Sequence, residues 1–255
     1  MSIRFAYLGS GSKGNSALVS AAGTCIMVDC GFSVRATEAR LSRLQMSANN
    51  IDALLVTHEH SDHMGGVARL ARRYGMPVWM TAGTYACAPD QDIPGLNLFS
   101  SHEAFSVGDL QIDPMPVPHD AREPCQFVFT DGDQRLGILT DTGHVTRHVR
   151  DSLSGCDGLV IECNHDVGML MKGPYPAALK QRVGGELGHL NNDQAADLVR
   201  TLDTRHLQHL IAVHISDVNN TREMAVDALA CAAGVEAPEV QSACQNEGLD
   251  WRELR

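Results

Sequence analysis

The chain has 255 residues, 44% of them hydrophobic and 5% aromatic, and a formal net charge of −11. That apolar share can fill a large core and excludes a disordered or fibrous chain. The acidic balance argues against a general affinity for nucleic acid, which normally shows as a basic footprint, and no apolar run approaches the length of a membrane span.

The opening residues, Met1 to Leu8, lack the basic region and long apolar run of a signal peptide, so a cytoplasmic protein is expected. Arg4–Leu8, Ser16–Val19 and Cys25–Val28 read as short strands. Between the first two, Gly9-Ser10-Gly11-Ser12-Lys13-Gly14 satisfies G-x-G-x-x-G, and Asp29 lies at a tempting distance for a ribose partner. A nucleotide-binding loop would open a helix at its third glycine, whereas Asn15 to Ser20 reads as another strand. The glycines are therefore expected to form a hairpin turn, with backbone N–H groups that can face a phosphate.

Val34–Leu44 carries apolar residues at helical spacing, and Ala53–Val56 reads as a buried strand. Directly after it, Thr57-His58-Glu59-His60-Ser61-Asp62-His63 packs three imidazoles and two carboxylates into seven residues. In a zincin helix the histidines stand four apart. Here His58 and His60 are two apart and Asp62 and His63 follow at once, a loop spacing that can feed two adjacent ions. Imidazole and carboxylate suit Zn, Mn or Fe.

Met64–Tyr74, Asp193–Leu202 and Arg222–Ala233 also carry helical apolar spacing. Further strands are expected at Pro77–Met80, Leu110–Val117, Gln126–Phe129, Leu136–Leu139, Gly158–Ile161 and Leu210–Val213. Three of these runs end on a candidate ligand: His119 after Met115-Pro116-Val117-Pro118, Asp141 after Gly137-Ile138-Leu139-Thr140, and His214 after Leu210-Ile211-Ala212-Val213. The tail beyond His214 is expected to hold one helix and a strand near Glu239–Gln241. The eight cysteines form no C-x-x-C pair and read as small core residues.

The His58 to His63 loop, followed by His119, Asp141 and His214 in that order, resembles the metallo-β-lactamase superfamily. Further runs resemble its YycJ/WalJ-like family: Ile161-Glu162-Cys163-Asn164-His165-Asp166, Leu179-Lys180-Gln181-Arg182-Val183, Gly188-His189-Leu190-Asn191-Asn192 and His214-Ile215-Ser216-Asp217-Val218-Asn219-Asn220. With the glycine loop and Thr140-Asp141-Thr142-Gly143, the likeness covers most of the chain. Two mild departures stand out, since family members often have Gly-His-Leu-Ser-Asn and His-Leu-Ser where this chain has Gly188 to Asn192 and His214 to Ser216.

The resemblance implies an α/β (α+β) fold: an αββα sandwich of two β-sheets flanked by helices, one domain over 1–255 built of two αβ halves. It implies two divalent metal ions, Zn, Mn or Fe, with His58, His60 and His119 on one, Asp62, His63 and His214 on the other, and Asp141 bridging. It further implies a metal-dependent phosphodiester hydrolase acting as a 5′-to-3′ DNA exonuclease. In that mechanism Asp62 orients the attacking water, and His189, held by Glu162, protonates the leaving alkoxide. Asn164, His165, Lys180 and Arg182, with Lys172 beside them, are the expected substrate contacts. Two alternatives remain open at this stage: a phosphodiesterase of small cyclic or nucleotide substrates, which the net charge suits, and a non-catalytic metal-stabilised binding module. A DNA substrate and no membrane partner are the expectation, and Asp141 to His214 leaves no room for the large inserted domain of RNA-degrading relatives.

Overall fold

A computed structural model describes residues 2–255. In chain order, β1 (Arg4–Gly9), β2 (Ser16–Ala21), β3 (Thr24–Val28), β4 (Ala53–Leu55), β5 (Val78–Thr81) and β6 (Leu96–Phe99) form one sheet. The second sheet contains β7 (Phe105–Val107), β8 (Leu110–Pro116), β9 (Cys125–Thr130), β10 (Arg135–Leu139), β11 (Gly158–Glu162), β12 (His209–Val213) and β13 (Val240–Ser242). A last strand, β14 (Leu249–Glu253), returns to pair antiparallel with β1 and completes seven strands in each sheet.

Period-two alternation decides which side chains meet. In β1, Phe5 and Tyr7 face the core between the sheets, while Ala6 and Leu8 face outward onto helices. In β12, Ile211 and Val213 join the same central core, and Leu210 and Ala212 face the opposite helical layer. Phe5, Phe127 and Phe129 are fully buried there, each contributing roughly 1.5–3 kcal/mol of burial free energy.

Outside the first sheet lie α1 (Val34–Arg43) and α3 (Val67–Tyr74), whose Leu41, Val67 and Leu70 pack on Leu18, Met27 and Leu54. Outside the second lie α5 (Arg147–Leu153), α8 (Asn192–Thr201) and α9 (Arg222–Ala233). The layers are therefore helix, sheet, sheet, helix, as the resemblance implied.

The hairpin reading of the glycine loop agrees with the structure, since β1 and β2 are antiparallel neighbours on either side of it. The helix expected over Met64–Tyr74 is broken. A short turn, α2 (Ser61–Met64), ends at Gly65, and α3 begins after Gly66, where a Cβ would overlap the Phe32 carbonyl oxygen and crowd Cys30. The tail also holds more than the expected helix and strand, because β14 was not foreseen. Its Leu-Asp-Trp-Arg-Glu pattern has a half-exposed edge character that reads weakly as a strand.

Among the described residues no helix is long and apolar enough to cross a membrane. All eight cysteines are free thiols, with Cys87 and Cys231 exposed and Cys25, Cys30, Cys125, Cys156 and Cys163 buried. Burial pushes the thiol pKa of Cys25 up to about 12 and those of Cys30 and Cys156 to about 11. Titration of the native protein with a disulfide reagent at pH 8 is expected to show two fast thiols, Cys87 and Cys231. The five buried ones should react only on unfolding, and fast native labelling of any of them would contradict this packing.

Candidate metal centre

The site is assembled from strand ends. Asp29 follows β3, the His58 to His63 loop follows β4, Asp141 follows β10, Glu162 closes β11 and His214 follows β12. Strands β3 and β4 are parallel, as are β10, β11 and β12, so within each set the carboxyl ends point the same way and their loops converge. Asp29, Asp141 and His214 each take the left-handed backbone conformation, with φ of 59°, 52° and 52°. A non-glycine residue pays for that conformation in strain, and its recurrence at three strand ends marks a constrained site.

Two sets of donors result. His58, His60 and His119 form one group, and Asp62, His63 and His214 another, with all candidate ligand atoms of a group within 4.8 Å of each other. Asp141 groups with His58 and His63 on one side, and with Glu162, His189 and His214 on the other. Its Oδ2 lies 3.1 Å from His63 Nε2 and its Oδ1 3.2 Å from His214 Nδ1.

Each of four histidines spends one ring nitrogen on the protein and turns the other inward. His58 Nδ1 is 2.9 Å from Thr57 Oγ1, His63 Nδ1 is 2.8 Å from Asp29 Oδ2, His119 Nδ1 is 3.1 Å from the Gly188 carbonyl oxygen, and His214 Nδ1 is 2.9 Å from Glu162 Oε1. Such partners fix tautomer and ring orientation for metal binding. His60 is reversed, with Nε2 near the Asp120 carbonyl oxygen and Nδ1 3.2 Å from His119 Nε2.

The buried His58 Nε2 and Asp141 Oδ2 have no hydrogen-bond partner. Two unpaired polar atoms at the centre of a donor cluster are costly unless an ion satisfies them, so the residues present fit divalent metal. The electrostatics agree. Burial alone would raise the Asp141 pKa, yet the His214 and His63 imidazoles hold it well below the usual carboxylate range. Burial, with neighbouring imidazoles, lowers His58 well below its ordinary value and keeps it neutral, as a ligand must be.

Glu162 is fully buried and saturated. Its Oε1 accepts from His189 Nδ1 at 2.8 Å and from His214 Nδ1 at 2.9 Å, and its Oε2 accepts from the Leu190 and Thr142 backbone N–H groups at 3.1 and 3.3 Å. Burial works against its charge, but His189 and His214 bring its pKa down to about 2. Burial likewise opposes the charged form of His189, while Glu162 and Asp141 outweigh it and raise that pKa. The His189 ring stands 5.3 Å from the His119 ring and 5.1 Å from the His214 ring, between the two donor sets.

The expected substrate contacts separate. Asn164 Nδ2 donates to the His214 carbonyl oxygen at 3.1 Å and so braces a ligand-bearing loop. His165 is buried, with Nδ1 unpaired and the pKa lowered by burial. Lys180 Nζ donates to the Met171 carbonyl oxygen at 2.7 Å, and Arg182 pairs with Asp120, so both are engaged in holding α7 (Ala177–Val183) in place. After His189, Asn191, which stands where family members often have Ser, caps α8 by accepting from the Gln194 N–H, while Asn192 and Asn220 exchange side-chain hydrogen bonds.

Four supporting residues escaped sequence reasoning as site components. Asn15 Nδ2 donates to Asp62 Oδ2 at 3.2 Å and lies 3.1 Å from His63 Nε2. Ser10 Oγ accepts from the His214 N–H at 2.9 Å. Asp29 is bound to His63 and Thr57, which ends the ribose-partner reading and gives the residue a structural reason for its place after β3. Asp120 Oδ1 approaches His119 and His60 at 3.5 and 3.7 Å. The available signal was position: Asp29 stands directly after a buried strand, as Asp141 and His214 do.

Residues 24–215 match the β-lactamase superfamily domain model. The chain is 35% identical to the exodeoxyribonuclease YycJ of Bacillus anthracis over 229 residues, covering 88% of this chain and 87% of that one. It is also 35% identical to the exodeoxyribonuclease WalJ of Streptococcus pneumoniae, covering 87% of this chain and 85% of that one. Among solved structures, the metallo-β-lactamase fold protein YhfI of Bacillus subtilis superposes with a TM-score of 0.74 at 16% identity, over 99% of this chain and all of that one.

Proposed function

The chain belongs to the β-lactamase superfamily, and on that premise we propose that it is a metal-dependent exodeoxyribonuclease that shortens DNA from 5′ ends. The observation that carries the reading is the convergence of two three-residue donor sets on one buried carboxylate, Asp141. The substrate class follows from similarity to the two exodeoxyribonucleases over most of both chains.

We assign His58, His60 and His119 to one divalent ion, Asp62, His63 and His214 to a second, and Asp141 to both. Zn, Mn and Fe all suit this donor set. Ions held there would supply Lewis-acid polarisation and charge neutralisation at the phosphoryl oxygens of a diester.

The chain's own groups do the rest. Asp62 carries an Asn15 N–H on the oxygen that faces His63, which leaves its other oxygen to orient an attacking water. Glu162 fixes the His189 tautomer with the proton on Nδ1 and supports the imidazolium form. A protonated His189 then holds its second proton, at Nε2, for the leaving alkoxide. Work on an intracellular DNA end fits this assignment, and the protein is proposed to act in the cytoplasm.

Linear duplex DNA labelled at one or the other end is the direct test. With Mn²⁺ present, stepwise loss beginning at the 5′ label is expected. Intact DNA beside hydrolysis of bis(p-nitrophenyl) phosphate would favour the second reading, a small-diester phosphodiesterase, which the net charge of −11 supports. His189→Ala is expected to lower turnover of DNA by about 10²–10⁴-fold. Turnover of bis(p-nitrophenyl) phosphate should fall much less, because p-nitrophenolate leaves without a proton. Equal retention of both activities would remove His189 from proton transfer.

A further inference from the structure

A cleft of about 610 Å³ opens on the helical side of the first sheet, at the end of β1 away from the metal centre. Arg4 begins β1 and lines this cleft, whereas Gly9 ends the strand at the glycine loop, from which Ser10 and Asn15 brace His214 and Asp62. Over its six residues, at about 3.4 Å per step, the strand separates its two ends by roughly 17 Å. The other walls come from the end of α1, with Arg43, Leu44, Gln45 and Met46, and from β14, with Asp250 and Trp251. Clefts of roughly 300–1,000 Å³ take small ligands, and none of these residues belongs to the metal-donor sets.

The walls are unusual for a chain with a net charge of −11. Arg4 lays its guanidinium over the Trp251 ring, 4.8 Å from the centroid, and Arg43 donates one N–H to the Tyr7 carbonyl oxygen at 3.0 Å. Among the described residues neither forms a salt bridge, in contrast to Arg72, Arg73 and Arg182. Glu253 stands opposite Arg4 across the strand pair, yet its Oε1 accepts the Ser2 hydroxyl at 2.7 Å instead. Trp251 and Met46 are half-buried, and Asp250 is exposed. Gln45 takes the left-handed conformation, φ 56°, one residue past the cap of α1. Helices α3 and α9 reach that conformation with Gly75 and Gly234, which have no Cβ to strain. A glutamine kept there holds a carboxamide at the cleft despite the strain.

Two guanidinium groups answer a phosphate, and an indole with a thioether beside it answers the face of a base. A carboxylate and a carboxamide answer the N–H groups on the base's edge. We propose that this cleft is a second binding site, separate from the metal centre, for a nucleoside monophosphate. Arg4 and Arg43 hold the phosphate, Trp251 and Met46 face the base, and Asp250 with Gln45 takes its edge. Guanine fits best, because its adjacent N1–H and 2-amino groups match the two oxygens of Asp250. The nuclease reading enters only as the source of the ligand, since stepwise loss from a DNA end releases such molecules.

The chain has two tryptophans, Trp251 and Trp79, and Trp79 stacks on Phe105 at 5.0 Å in β5, away from the cleft. In a W79F protein the emission therefore reports the cleft alone. Titration of the Mn²⁺-loaded protein with dGMP should quench it saturably, with a Kd below about 1 mM. Adding D141A should leave this Kd unchanged, because the cleft does not use the metal centre. R4A and R43A should each weaken dGMP roughly tenfold. The control R147A, 91% exposed on α5 outside the other sheet, should bind as tightly as its parent. Deoxyguanosine and inorganic phosphate, each with part of the contacts, should bind at least about tenfold more weakly than dGMP. Calorimetry on the protein with both tryptophans, compared with R4A, gives the same affinity without relying on W79F.

Absence of a saturable Trp251 signal together with no calorimetric binding overturns the site, as does equal dGMP affinity in R4A, R43A and their parent. Inorganic phosphate binding as tightly as dGMP would also overturn it, because the indole would then contribute nothing. Equal loss in R147A would reduce the effect to total charge and overturn it too. Failure of the nuclease reading looks different: end-labelled DNA would stay intact while dGMP still quenched Trp251, and the cleft would stand as a nucleotide site supplied by another reaction.

Discussion

Asp141→Ala is expected to lower kcat/KM on DNA by at least about 10³-fold and to reduce the metal that stays with the protein through gel filtration. The size follows from geometry. Among the described residues Asp141 is the one carboxylate that groups with members of both donor sets, with one oxygen 3.1 Å from His63 of one set and the other 3.9 Å from His119 of the other. Alanine deletes the carboxylate proposed to serve both ions, leaving three imidazoles for one and Asp62 with two imidazoles for the other. Losing several kcal/mol of transition-state stabilisation at about 1.4 kcal/mol per tenfold gives three orders of magnitude or more. Metal content by mass spectrometry gives a readout independent of activity. A variant with unchanged metal content and unchanged turnover would show that Asp141 is not a ligand.

How the centre could be read from sequence has a physical reason. Each ligand loop follows an apolar run that must be a buried strand, so order along the chain translates into convergence in space. His58, Asp141 and His214 stand out because each follows an apolar run directly or after one intervening residue: Ala53–Val56, Ile138–Leu139 and Leu210–Val213. The supporting residues do not stand out in this way. Asn15 and Ser10 reach the centre from a glycine loop whose hydrogen bonds depend on a hairpin closing against Asp62, a contact 47 positions away. Asp29 resembles an ordinary turn residue until its carboxylate is seen against His63.

The fold divides along the same line. Strands with two buried faces, such as β1, β3 and β11, were legible because nearly every residue in them is apolar. The unforeseen strands β6, β7 and β14 lie at sheet edges, where one face or one end meets solvent and the pattern mixes polar residues in. Helices α6 (Val167–Lys172) and α7 gave no helical period for a related reason. Only Leu170 is buried in the two together, so selection for a core face has left no stripe to read.

Glu162→Gln is the change of one atom with the second largest expected effect. Both oxygens of Glu162 are acceptors, each facing two donors: Oε1 toward His189 and His214, Oε2 toward the Leu190 and Thr142 N–H groups. An amide has one acceptor and one donor end. Placed either way, its NH₂ points at two N–H groups in a site with no solvent exposure, at a cost of about 1–3 kcal/mol for each polar group left unpaired. The histidine tautomers are released as well, since a neutral amide no longer favours protons on both Nδ1 atoms. We expect metal affinity, measured by chelator competition, to fall about 10–100-fold, with a lower melting temperature for the metal-free protein. Glu162→Asp, which keeps the charge but shortens the reach, should recover part of the affinity. The pH dependence gives the sharpest check. In the metal-free protein the folded Glu162 pKa, about 2, lies below its ordinary 4.5. Its stabilisation is therefore complete above that ordinary value and is lost as the pH falls from there toward 2. In the Gln variant that contribution is absent, so unfolding free energy should depend less steeply on pH across this acidic window than in wild type. Parallel profiles with equal metal affinity would mean that Glu162 only fills space between β11 and the His189 loop.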